Sequence, residues 1–266
     1  MNVITSTKYG TMVVSDNDTG MGANLIAYGE VHNAEIEFLK QFCAPGNVVF
    51  DCGANIGNHS LIFAKSVGEN GSVFSFEPQE NCFQLLCANL AINNLFNVQV
   101  FKCAVGDNNK DLLFPFVSPN MKFNFGGISM KESHIYTKSV KVQQRQLDEF
   151  LDIEKCDLLK IDVEGFESAV LNGGLNFISK FRPVIYCENN RVEQFDELVY
   201  FFEKNNYVAY SHLPPSFNIN NFRGDKNNYF HGNYKEPNLV ALPYEKQHLM
   251  SQSFHVEKLQ FHVPSF

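Results

Sequence analysis

No apolar run in this 266-residue chain approaches the roughly 18 residues that a membrane-spanning helix needs, which excludes such a span. The stretch Met1 to Gly22 is polar and turn-rich and shows no signal peptide, so a cytoplasmic protein is expected. Positive charge is scarce: 21 Lys and Arg against 29 Asp and Glu give a formal charge of −8. Broad electrostatic binding to nucleic acid needs a basic face, so no nucleic-acid partner is expected. The seven cysteines (43, 52, 82, 87, 103, 156 and 187) form no C-x-x-C pair, which argues against a disulfide framework or a zinc site. They read instead as small core residues in a reducing compartment. Tryptophan is absent, and 26 phenylalanines, most at strand or helix spacing, carry the aromatic content of the core.

What is present is a repeated strand-helix alternation, with content enough for one large α/β domain or one domain with additions. Val48 to Phe50 is a short apolar run of the kind buried on both faces of a sheet. It ends at Asp51, turns through Gly53, Ala54, Asn55 and Gly57, and enters an amphipathic stretch from Asn58 to Val67. Further strands are expected at Ser72 to Phe76, Val98 to Val105, Cys156 to Ile161, Pro183 to Cys187, Tyr207 to Ser211 and Asn238 to Leu242. Thr5 to Ile26 suggests a short hairpin. Asn33 to Cys43 reads as a helix with Asn33 as its N-cap and Ile36, Leu39, Phe42 and Cys43 on one face. A loop of about 25 residues separates the last two strands, long enough to suggest function or disorder. The expected architecture is a mainly parallel sheet with helices on both faces. The expected divisions are an N-terminal extension (1–32), a main domain (33–243) and a C-terminal tail (244–266).

Four strands end in an acid: Asp51, Glu77, Asp162 and Glu188. One such residue is commonly a helix cap. Four in series describe a negative rim around a crevice beyond the carboxyl ends of the strands, where open α/β sheets bind ligands. Glu77 stands 24 residues after Gly53, close to the roughly 20 expected for an acid that accepts both hydroxyls of a ribose. The turn lacks the lysine and spacing of a triphosphate loop. A dinucleotide loop wants a middle glycine where Asn55 stands. A carboxylate at Asp51 facing pyrophosphate is unfavourable by several kcal/mol at roughly 4 Å. The same carboxylate suits a ligand with an ammonium group, so S-adenosylmethionine fits Asp51 and Glu77 better than a nicotinamide dinucleotide does. Asn55 tolerates the left-handed conformation that the turn needs.

Read together, Asp51-Cys52-Gly53-Ala54-Asn55-Ile56-Gly57-Asn58-His59, Phe76-Glu77-Pro78, Ala104-Val105-Gly106-Asp107, Leu147-Asp148 and Lys160-Ile161-Asp162-Val163-Glu164-Gly165-Phe166-Glu167 resemble the FkbM-type methyltransferases. The resemblance runs from about Asn33 to Leu242; the tail after Tyr244 has no counterpart, and Cys52 replaces a usual aliphatic residue. It implies a three-layer αβα, Rossmann-like class I methyltransferase fold, with a mainly parallel seven-stranded sheet and one antiparallel strand. It also implies S-adenosylmethionine as cofactor and O-methylation of a sugar, a polysaccharide or glycolipid precursor, or a secondary metabolite. By the same resemblance, the turn from Asp51 through Gly53, Ala54, Asn55 and Gly57 holds the methionine part and Glu77 the ribose. Ala104 and Val105 meet the adenine, with Asp107 near its amino group, and Asp162 lines the methyl-transfer face.

A hydroxyl acceptor benefits from a base, and Asp162, Glu164, Glu188 and His59 are the candidates, with Asp162 and Glu164 placed first. His59 has the most suitable ordinary pKa, yet it opens a helix and equally suits packing or hydrogen bonding there; Glu164 equally suits capping the helix near Gly165. No spacing demands a metal, although Asp162, Glu188 and a loop histidine are a conceivable set. The acceptor is expected between Phe125-Gly126-Gly127 and the long loop carrying His212, Arg223, Tyr229 and His231. His248, His255 and His262 recur every seven residues, one helical face, and read as solvated or packed rather than metal-binding; the tail suits covering the sheet or forming a homo-oligomer. Competing readings are a non-catalytic nucleoside-binding module on the same fold and, less favoured, a nucleic-acid methyltransferase or nicotinamide oxidoreductase.

Overall fold

The computed structural model describes residues 1–129, 136, 138–230, 234–250 and 256–259. The strands are β1 (Asn2–Thr7), β2 (Gly10–Ser15), β3 (Val48–Cys52), β4 (Ser72–Phe76), β5 (Val98–Phe101), β6 (Ala104–Val105) and β7 (Leu112–Pro115), followed by β8 (Ser139–Val142), β9 (Gln144–Arg145), β10 (Leu158–Ile161), β11 (Val184–Glu188), β12 (Tyr207–His212), β13 (Asn238–Pro243) and β14 (Val256–Lys258). The helices are α1 (Met21–Tyr28), α2 (Asn33–Leu39), α3 (Asn58–Val67), α4 (Glu80–Ile92), α5 (Glu167–Asn172), α6 (Leu175–Phe181) and α7 (Phe195–Lys204). Among the described residues no helix is long and apolar enough to cross a membrane.

The main sheet runs β14-β12-β13-β11-β10-β3-β4-β5. Pairing is parallel from β11 through β10, β3 and β4 to β5, and antiparallel where β13 meets β11 and β12. The fold class is the expected one, with eight strands instead of seven. The extra strand is β14, from the tail, which pairs antiparallel with β12, so two strands run against the rest rather than one.

Alternation along the central strands builds both faces. Phe50, Cys52, Leu159, Ile161, Ile185 and Cys187 pack with Val170, Phe177 and Phe202 on one face. Val49, Leu158, Val184 and Tyr186 pack with Phe38, Phe63 and Val67 on the other. Phenylalanines from neighbouring strands stack on the first face, Phe50 on Phe74 at 4.6 Å and Phe76 on Phe101 at 5.0 Å, which accounts for an aromatic core built without tryptophan. The seven cysteines are free thiols, six of them buried and Cys87 partly so.

Four sequence expectations need correction. Thr5 to Ile26 is not a hairpin throughout: β1 and β2 form the hairpin and α1 follows. Asn33 does not cap α2; His32 does, with a left-handed φ of 53°, while the Asn33 side chain accepts a bond from the Tyr9 hydroxyl at 2.9 Å. The helix read to Cys43 ends at Leu39 and continues as a 3₁₀ turn, Lys40–Phe42. The strand read as Val98 to Val105 breaks after Phe101: Cys103 N–H bonds back to the Phe101 carbonyl at 3.0 Å, and β6 leaves the sheet to pair with β9. The break carries Ala104 and Val105 to the mouth of the crevice.

Candidate active site

The chain reverses its direction of travel across the sheet between β3 and β10: from β3 it proceeds to β4 and β5 on one side, and β10 leads to β11 on the other. A crevice opens beyond the carboxyl ends at such a switch point. Here it is a cavity of about 720 Å³. Its floor is the turn after β3. Gly53 has φ 83° and Asn55 φ 50°, both left-handed. A Cβ on Gly53 would stand 1.7 Å from the Asp162 carbonyl oxygen, so the two strand ends approach this closely only through glycine.

Glu77 pins the turn from the end of β4. Its carboxylate accepts the Asn55 N–H at 2.9 Å and the Gln79 N–H at 2.8 Å. Burial pushes its pKa up to about 7, against the lowering effect of those two backbone donors. Each oxygen keeps lone-pair capacity for a donor from the cavity.

Gly53, Ala54, Asn55, His59, Glu77, Ala104, Val105, Asp162 and Glu164 all line this cavity, as do Gly126, Gly127 and Tyr229 from the expected acceptor side. Three expected residues do not. Asp51 is fully buried beneath the floor: it accepts from the Ser60 hydroxyl at 2.6 Å and faces Lys160 Nζ at 3.4 Å. It is paired with Lys160 beneath the floor and does not line the cavity, where the sequence placed it as the ammonium partner. Gly57 begins α3 with φ 90°, and Leu86 of α4 stands where its Cβ would be. Asp107 is exposed and bonded to Asn108 rather than to the cavity.

Lys160 also reaches Asp162 at 3.2 Å. Beyond Asp162 the acids crowd: Asp162, Glu164 and Glu188 have carboxylate oxygens within 4.8 Å of one another. Burial, then Asp162, push the Glu164 pKa up to about 8. The same causes raise Glu188 well above its ordinary value. Glu164 sits at φ 53°. It does not cap the following helix, whose N-cap position is Phe166; Glu167 instead ties down the turn before it, accepting the Gly165 N–H at 2.9 Å. His59 Nε2 contacts Glu35 at 3.0 Å. Of the loop residues expected near an acceptor, His212 is buried against the Tyr186 hydroxyl at 2.9 Å, and Arg223 bonds Ser6 on the N-terminal hairpin. His231, His255 and His262 lie outside the described residues. Val256 to Lys258 is a strand, so the seven-residue histidine spacing does not define one helical face.

The sequence reading placed the long loop over the crevice but missed the α1 half of the roof and three of the loop residues. Thr19, Met21, Asn24 and Ala27 come from α1 and the turn before it, and Phe230, Tyr234 and Glu236 from the long loop. One local signal was readable: Asp18 accepts the Gly20 and Gly22 N–H groups at 3.0 and 2.8 Å, a capping turn spelled by Asp-x-Gly-x-Gly.

The model of the methyltransferase FkbM domain matches residues 51–209, more than half of the chain. The chain belongs to the FkbM methyltransferase family. It is therefore an S-adenosylmethionine-dependent methyltransferase. "Methyltransferase sdnD" of Sordaria araneosa is 26% identical over 203 residues, covering 61% of this chain and 78% of that protein. "2-O-methyltransferase NoeI" of Sinorhizobium fredii is 25% identical over 181 residues, covering 63% of this chain and 72% of that protein. Among solved structures, precorrin-6y C5,15-methyltransferase from Geobacter metallireducens superposes with a TM-score of 0.50 at 13% identity, covering 79% of this FkbM-family chain and 87% of that one. That likeness concerns the fold.

Proposed function

We propose that this FkbM-family protein is an O-methyltransferase acting on a hydroxyl of a sugar, a polysaccharide or glycolipid precursor, or a related secondary metabolite. One observation carries the cofactor part. Five carboxylates line the cavity (Glu77, Asp162, Glu164, Glu188 and Glu236), and no Lys or Arg does so among the described residues. Such a lining offers a pyrophosphate no cationic partner and favours a ligand that carries an ammonium and a sulphonium. This replaces Asp51, which Lys160 neutralises, as the ground for preferring S-adenosylmethionine over a dinucleotide.

When bound, S-adenosylmethionine supplies an electrophilic methyl group on a positively charged sulphur. Glu77 accepts the ribose hydroxyls, the backbone of Gly53 to Asn55 holds the amino-acid end, and Ala104 and Val105 flank the base. Asp162, 3.2 Å from Lys160, faces the positive charge from the cavity wall. Glu164 would take up the acceptor hydroxyl's proton, leaving its oxygen free to receive the methyl group that the bound cofactor would supply. Its pKa near 8 lies close to working pH, where a general base is most effective. Tyr229, Phe230 and Tyr234 offer flat apolar faces to the acceptor, the two tyrosines with a hydroxyl as well, and the 2-O-methyltransferase activity named for NoeI is consistent with a hydroxyl acceptor.

Calorimetry tests the reading. S-adenosylhomocysteine is expected to bind at sub-millimolar concentration, and a nicotinamide dinucleotide is not. Failure of the homocysteine compound to bind defeats the proposal. A mass gain of one methyl group on a candidate glycan identifies the acceptor.

A further inference from the structure

Beside the cavity stands a second polar cluster that methyl transfer, as described, does not use. His32 caps α2 from a left-handed residue, and Glu35 lies one turn later on the same helix. Glu236 arrives from the far end of the long loop, just before β13. His32 Nδ1 lies 2.5 Å from Glu236 and 3.7 Å from Glu35, and His59 Nε2 lies 3.0 Å from the other Glu35 oxygen. Glu35 is 4% exposed and His59 6%.

Two features distinguish this cluster from an ordinary set of ion pairs. Both imidazole nitrogens are buried and contact carboxylate oxygens, yet neither makes an aligned hydrogen bond. Neither ring N–H is therefore well aimed at the oxygen beside it. Moreover, one ligand-capable atom from each of His32, Glu35 and Glu236 falls within 4.8 Å of the others. Donors bound at about 2.0–2.2 Å around one ion lie roughly 3–4 Å apart, the spacing that a small adjustment of these side chains provides.

We propose that His32 Nδ1, Glu35 and Glu236 bind a divalent first-row transition cation. Mixed imidazole and carboxylate donors suit zinc, manganese or iron(II). His32 and Glu236 line the cavity, so a three-ligand site keeps an open position on the cavity side, as catalytic rather than structural sites do. There the ion would take up an acceptor hydroxyl and ease its deprotonation. That use rests on the function proposed above; the binding of the ion does not.

The full-length chain, dialysed against a chelator, is titrated with zinc chloride by calorimetry and, in parallel, with S-adenosylhomocysteine. One zinc per chain is expected. Glu236→Gln and His32→Asn, on separate segments, should each weaken it about tenfold or more, while Glu188→Gln in the neighbouring acid cluster leaves it unchanged. X-ray absorption should show only nitrogen and oxygen donors, at about 2.0–2.2 Å. Absence of saturable zinc binding overturns the inference. So does binding that Glu236→Gln and His32→Asn leave intact, or that Glu188→Gln abolishes. Homocysteine-compound binding without zinc binding defeats this inference alone, and zinc binding without it defeats the methyltransferase site assignment alone.

Discussion

Lys160 stands directly across from Asp51 in the register of β10 and β3, and its ammonium lies 3.4 Å from Asp51 and 3.2 Å from Asp162. A lysine 1% exposed is tolerable only with such partners; they hold its pKa above the ordinary value although burial alone would lower it. The same cation thus ties the floor of the site to a residue in its wall.

Lys160→Met should destabilise the fold by about 3–5 kcal/mol, because it strands a buried carboxylate. Adding Asp51→Asn should recover part of that loss. Urea denaturation of the single and double variants checks both, and a neutral Lys160→Met would contradict the role assigned to the pair.

Glu77→Ala should weaken S-adenosylhomocysteine by about one to two orders of magnitude, since a charge-assisted bond to each hydroxyl is lost. In the parent protein the affinity should fall as pH drops below about 7, where Glu77 takes up its proton. Titration calorimetry across pH reads both effects; unchanged affinity in the variant refutes the ribose assignment.

Glu164→Gln should slow methyl transfer about 10²–10⁴-fold and leave S-adenosylhomocysteine affinity within a few-fold. A comparable loss of both would mean that Glu164 holds the cofactor rather than the acceptor's proton.

Stability should depend on pH in one direction. Glu77 and Glu164 ordinarily titrate near 4.5, and in the fold, burial raises them to about 7 and about 8. Between those limits the folded chain binds more protons than the unfolded chain, so stability falls as pH rises. Burial works against charge on His32, yet Glu236 and Glu35 hold its pKa well above 6.5. Its contribution has the same sign, fully present below 6.5 and lost as pH rises through the folded value. The melting temperature of the ligand-free chain should therefore decline from about pH 5 to about pH 8, less steeply in Glu164→Gln. A rising profile would contradict these environments.

Gly53→Ala should abolish cofactor binding and lower stability by several kcal/mol, from a Cβ in collision with the Asp162 carbonyl and a left-handed φ. Binding retained in that variant would show that the strand ends can separate.

The sheet was legible because a strand buried on both faces spells an apolar run, as in Val48 to Phe50 and Val184 to Cys187. Glu77 and Asp162 were legible because strand ends at a switch point face the crevice. Asp51 sits at a strand end as well, but alternation turns it under the floor, and its partner Lys160 lies in another strand that no local pattern connects to it. The break after Phe101 was hidden because Lys102 and Cys103 are as compatible with a strand as with a turn. His32 and Glu236 were invisible for a simpler reason: only the folded chain brings the start of α2 and the end of the long loop together.

The cavity floor is drawn from the middle of the chain, whereas its roof joins α1 to the loop after β12, where Tyr28 stacks on Tyr229 and Phe230 and Glu30 accepts from Asn218. Those two surface segments can drift in sequence without disturbing the sheet or the cofactor turn. On the acceptor site proposed above, grafting acceptor choice between relatives would require exchanging both halves of the roof together.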